Sequence, residues 1–86
     1  MRYTVTETTV ARSQLARLWG NSSSSVRAAI TRASARIDTA LRHDPENKGS
    51  PLSEGLYYID KSPLRAFFII SEPDRLVTIT DYFLIG

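Results

Sequence analysis

Arg65 is the side chain in this chain of 86 residues best placed to do chemistry. It follows Pro63 by two residues and opens a run of apolar and aromatic residues, Ala66 to Ile70. A cation at the head of such a strand must be paired, exposed at an edge, or kept for an anionic partner. As a functional group it would clamp a phosphate on an open sheet face and stabilise the charge that grows at a scissile phosphodiester. As a structural group it would pair across strands with Asp60 or Asp81. Lys61, just before the turn, reads either as a solvated turn lysine or as a second phosphate contact or proton donor. Tyr57 and Tyr58 must point to opposite faces of their strand, one into the core and the other free to stack on a base. His43 ends an arginine-rich helix, where a protonated imidazole complements the helix C-terminus; catalysis is its other reading. Arg75, Asp60, Asp81 and Tyr82 complete the polar groups with chemical potential.

Other chemistries lack their residues. One histidine and no cysteine build neither a Cys/His pair nor a His-rich metal site, and the four glycines form no phosphate loop. Neither a metal nor another cofactor is expected. The absence of cysteine is compatible with the cytosol. The opening MRYTVTETTV has no apolar signal-peptide core, and no run is long enough to span a membrane, so a cytoplasmic protein is expected. Charge is uneven along the chain. Residues 1–43 carry seven arginines against Glu7 and Asp38, whereas residues 44–86 carry two lysines and two arginines against seven acids. A solvated helix surface accounts for the basic half; a nucleic-acid footprint is the alternative.

The elements that must position these groups follow from periodicity. Arg2 to Thr6 reads as a strand, and Thr8 or Thr9 as the cap of a first helix. Ala11, Leu15, Leu18 and Trp19 lie on one face of that helix as core, and Gly20-Asn21 stops it. The serines at 22–25 supply the cap of a second helix, in which Val26, Ile30, Ala33, Ile37 and Leu41 form the buried stripe. Pro45 ends that helix near His43, and residues 44–54 read as a polar loop. Strands follow at Leu56–Asp60, Leu64–Ser71 and Leu76–Leu84. In the middle one, Leu64, Ala66, Phe68 and Ile70 face the helices, while Arg65, Phe67, Ile69 and Ser71 face outward, on a surface made to be covered. The expected order is β-α-α-β-β-β in one domain, residues 1–86. This α+β fold has two antiparallel helices packed on one face of a small antiparallel sheet.

This order of elements resembles the RelE/ParE superfamily, the toxin halves of bacterial type II toxin–antitoxin modules, often labelled plasmid-stabilisation proteins. The resemblance rests on RYTVT, ARSQLARLW, ARIDTALRHDP, GLYYID and above all SPLRAFFIISEPDRLVTIT, and covers nearly the whole chain. For the RelE branch it implies a metal-independent mRNA interferase that cleaves mRNA in the ribosomal A site and arrests growth. Arg65 matches the family's middle-strand arginine, with Lys61 and Tyr82 as further catalytic candidates and Tyr58 and Arg75 as RNA contacts. Leu56 and Tyr58 stand where RelE-type enzymes carry lysines. For the ParE branch the resemblance implies inhibition of DNA gyrase without that catalytic set. A diverged, non-catalytic antitoxin-binding module is the third reading. A cognate antitoxin, encoded beside this gene, is the implied partner in each.

Overall fold

In the computed structural model of the chain, which describes residues 2–85, strand β1 (Thr4–Glu7) gives way at Thr8 to helix α1 (Thr9–Gly20). The Thr8 hydroxyl accepts the Ala11 N–H at 3.0 Å, satisfying one of the donors that a helix start leaves without a partner. Asn21 caps the other end of α1, and Ser23 caps helix α2 (Ser24–His43) through the Val26 N–H. A single turn, α3 (Pro45–Lys48), and a short strand, β2 (Ser50–Ser53), occupy the segment expected to be loop. Neither could announce itself. Pro45 sits at the start of α3, where its missing N–H costs nothing. Every β2 side chain is exposed, so that strand carries no apolar alternation. Strands β3 (Leu56–Lys61), β4 (Leu64–Ser71) and β5 (Leu76–Leu84) form the expected meander.

The sheet order is β1-β5-β4-β3-β2. All pairings are antiparallel except that of β1, which lies parallel to β5 with Val5 opposite Val77. The α+β class and its helix-covered sheet therefore stand as read, but the sheet is mixed and has five strands. Pro51 is tolerated in β2 because that strand is an edge and carries an irregular register between Pro51 and Ser53.

The core lies between α1, α2 and one sheet face. Leu64, Ala66 and Phe68 are buried from β4, as the alternation demanded, beside Ile30, Ala33, Ile37 and Leu41 from α2. Two expectations fail at helix ends. Trp19 is 43% exposed, because Ala11, Leu15 and Leu18 already occupy the contact face of α1 and Trp19 lies one residue, about 100°, further round. The Arg27 guanidinium covers its ring at 4.6 Å from the centroid and bonds the Trp19 and Gly20 carbonyls. Val26 is also exposed, since burial along α2 begins only at Ile30. Ile37 is fully buried. Ile37→Ala should lower the unfolding free energy by about 2–5 kcal/mol, read by denaturant titration.

Candidate functional site

The uncovered face of the sheet carries a row of aromatic side chains across three strands. Tyr58 of β3 stands opposite Phe67 of β4, their rings edge-to-face at 6.4 Å. Phe67 in turn meets Phe83 of β5 edge-to-face at 5.5 Å. Ile69 is 44% exposed, outward as the β4 alternation led one to expect, and Phe83 of β5, which that alternation did not include, is 48% exposed beside it.

Arg65 lies at one end of this row. Its guanidinium sits over the Tyr58 ring, 4.6 Å from the centroid. Across the strand pair it makes a two-pronged contact with Asp60: Nε to Oδ1 at 2.7 Å and Nη2 to Oδ2 at 2.9 Å. The two residues are direct cross-strand partners. Of the two readings of Arg65, the structure therefore contains the cross-strand pair, and Asp60 rather than Asp81 is the partner. The pair leaves Nη1 and one Nη2 hydrogen pointing elsewhere, so the fork retains donors. Hydrogen bonding from Arg65 holds the Asp60 carboxyl below the usual aspartate range, and the same bond raises the Arg65 guanidinium. Asp60 is therefore ionised at neutral pH. Its stabilising effect is present above the unfolded-state value, near pH 4, and is lost as pH falls through the lowered folded value. In Arg65→Ala, an NMR titration of the Asp60 carboxyl should shift its midpoint upward; an unmoved midpoint would mean that the ion pair does not persist in solution.

The other candidates from the sequence do not gather here. Tyr82 is only 3% exposed and lies on the helix-covered side, where its hydroxyl donates to Glu7 Oε2 at 2.6 Å. Burial first, and then that bond, push its phenol far up, so it exchanges no proton near neutral pH. The reason is a bulge. The β4–β5 register passes from Phe68↔Ile79 to Phe67↔Asp81, skipping Thr80, which reverses the phase of β5 and sends Tyr82 inward and Phe83 outward. Lys61 shares the helix side with Ile59 and lines a cavity against α2. Arg75 sits in the turn at the far end of the β4–β5 hairpin with φ 50°. It stacks on Tyr3 at 4.3 Å and lies 3.6 Å from Glu72. His43 ends α2 as expected. Asp60 and Tyr58, as chemical partners of Arg65, are what sequence reasoning underused; the signal was their spacing across the Ser62-Pro63 turn.

No protein-family profile and no curated protein sequence matches the chain. Solved structures do. The RelBE2 toxin–antitoxin complex of Mycobacterium tuberculosis superposes with a TM-score of 0.75 at 23% identity, covering 98% of this chain and 99% of that one. The RelE–RelB complex of the archaeon Pyrococcus horikoshii gives 0.65 at 15% identity over 100% and 98% of the two chains. The isolated RelE toxin of E. coli gives 0.63 at 15% identity over 98% and 85%.

The chain has the RelE fold.

The resemblance read from the sequence thus holds at the level of architecture, over at least 98% of this chain and 85% to 99% of its three structural neighbours. On this RelE fold the outward face gathers Arg65, Asp60 and Tyr58 rather than Arg65, Lys61 and Tyr82. Among the described residues no three His, Cys, Asp or Glu side chains stand together as a metal site. No described helix is long and apolar enough to cross a membrane.

Proposed function

We propose that this protein is the toxin half of a type II toxin–antitoxin pair and arrests growth by metal-independent cleavage of mRNA at the ribosome. The likeness to RelE and RelBE structures supports the first part. The Arg65–Asp60–Tyr58 cluster on the open sheet face carries the second.

The three groups match the demands of RNA transesterification. The ribose 2′-oxygen must lose a proton, the phosphorane must be stabilised, and the 5′-oxygen must gain a proton as it leaves. In this reading the ionised Asp60 takes the 2′-hydroxyl proton. The new O2′–P bond forms as the P–O5′ bond breaks. Arg65, through the donors not used by Asp60, binds the equatorial oxygens as their charge grows. Tyr58 gives its phenolic proton to the 5′-oxygen. The products are a 2′,3′-cyclic phosphate and a 5′-hydroxyl, and water restores both protonation states. Phe67 and Phe83 offer ring faces and edges on which unstacked bases rest.

A second reading, inhibition by protein binding as in gyrase poisoning, is favoured by one observation. Among the described strand residues of the open face, Arg65 is the one cation, and it is already paired; a mostly apolar surface suits a protein partner.

Induced expression with mapping of mRNA 5′ ends and a supercoiling assay separates the two. New 5′ ends with normal supercoiling support cleavage; arrest with blocked supercoiling and no new ends replaces it with the gyrase reading. The antitoxin is tested by melting with and without the product of the adjacent gene. At a hundredfold excess over Kd, about 2.7 kcal/mol of added stability should raise Tm by on the order of 10 °C or more. An unchanged Tm at saturation would remove the toxin–antitoxin assignment.

A further inference from the structure

The helix-covered side of the molecule has a second feature of recognition, remote from Arg65. A cavity of about 520 Å³ opens between the C-terminal half of α2, the end of α3 and the last residue of β3. Arg36 and His43 reach it from α2, Lys48 from α3 and Lys61 from β3, and no carboxylate is among its lining residues. The exposed Ala35 and the half-buried Ala40 add apolar surface to its lining.

What sets this place apart is the convergence of unpaired cations on one cavity; Arg2, Arg17 and Arg32 also lack an ion pair among the described residues, but they are not among its lining residues. Arg12, Arg42, Arg65 and Arg75 are each held by a carboxylate, and Arg27 is spent on the α1 carbonyls. Arg36, Lys48 and Lys61 have neither an ion pair nor a hydrogen bond through their side chains among the described residues. Like charges that converge on one concavity repel each other, and an anionic occupant relieves that repulsion. A phosphodiester strand would use the cations but leave the alanine surface uncovered. A peptide with an apolar side chain flanked by carboxylates uses both.

We infer that this groove is the docking site for an acidic, apolar-anchored segment of a protein partner, one aliphatic side chain seated on Ala35 and Ala40 with carboxylates reaching Arg36, Lys48 and Lys61. The inference deepens the toxin–antitoxin reading, on which it rests only for the partner's identity; the segment then belongs to the antitoxin. Because the contacts are rim charges over a small apolar anchor, binding is salt-sensitive.

The test uses the full chain, Arg36→Glu/Lys48→Glu, and Lys61→Glu, with melting curves to verify that all three fold. Two ligands are titrated at 25 and 200 mM salt: the adjacent-gene product, and the probe peptide acetyl-EELDELEE-amide, with amide shifts followed by NMR. The expected result is peptide-induced shifts around Ala35, Ala40 and Lys61. The antitoxin should bind the double variant at least about tenfold more weakly, with a smaller loss in Lys61→Glu. Equal antitoxin affinity across all variants overturns the groove and leaves the toxin–antitoxin pair intact. Charge-dependent peptide binding with no affinity for the adjacent-gene product keeps the groove and overturns that pair. If instead a 20-nucleotide single-stranded RNA, and not the peptide, shifts these amides, the proposed occupant is wrong.

Discussion

Phe68→Ala is expected to lower the free energy of unfolding by about 3–5 kcal/mol, a large share of the stability of a domain this small. Phe68 is fully buried at the centre of the sheet's inner face. Its ring stacks on Tyr57 of the neighbouring strand, 5.5 Å between centroids and 14° from parallel. Gly49, between α3 and β2, approaches the same ring so closely that a Cβ there would stand 2.4 Å from Phe68 Cζ and 2.9 Å from Cε1. A glycine is required at 49 for want of space. Gly49→Ala should therefore destabilise by about 1–3 kcal/mol through overpacking. The pair makes a sharper test than either variant alone. The Phe68→Ala cavity takes up the Gly49→Ala methyl, so the double variant should lose less stability than the two single losses added together. Denaturant midpoints for the four proteins read this directly. Simple additivity would show that the ring and Gly49 do not share the same space in solution.

Arg65→Ala is expected to reduce RNA cleavage on the order of 10²–10³, because one preorganised donor to a developing oxyanion carries that much of the rate. Growth arrest on induction should disappear while the fold persists. Arg65 is a partly exposed side chain, and its pair with Asp60, well screened by water, contributes little to stability. Arg65→Lys should restore only part of the activity. An ammonium cannot grip Asp60 and a phosphate at once as the planar fork does. Asp60→Asn separates the roles further. It keeps the shape and removes the proton acceptor, so cleavage should fall by about 10²–10⁴ while RNA affinity is retained or rises, since a negative charge has left the site. Full arrest by both variants would remove the ribonuclease reading and leave the aromatic face as a protein-binding surface.

These expectations depend on residues that were legible in the sequence to different degrees. The strict alternation of β4 identified the inner face (Leu64, Ala66, Phe68) and the outer face (Arg65, Phe67, Ile69), because a half-buried strand must separate its side chains with period two. The α2 stripe from Ile30 to Leu41 was equally legible, since a long helix packed on a sheet repeats its apolar residues at three and four. Residue type alone narrowed the caps to Thr8 or Thr9 and to the serines at 22–25, and the structure selects Thr8 and Ser23. Arg65 stood out because a cation at the head of an apolar strand needs a reason.

Tertiary structure decided the rest. Which carboxylate answers Arg65 depended on strand register, and register placed Asp60 directly opposite. The position of Tyr82 depended on a one-residue bulge at Thr80, which no local pattern announces and which exchanges the two faces of β5. β1 could have taken either edge and either direction. It lies parallel to β5, held there by the Thr4 N–H on the Arg75 carbonyl at 2.9 Å. The cationic groove draws on three successive elements, α2, α3 and β3, and only the packing of β3 against α2 brings Lys61 to the same cavity as Arg36. A sequence records which side chains are apolar, charged or conformationally restricted. It does not record the long-range pairings that bring two such side chains face to face, because those are set by the competition among all strands and helices for one buried surface.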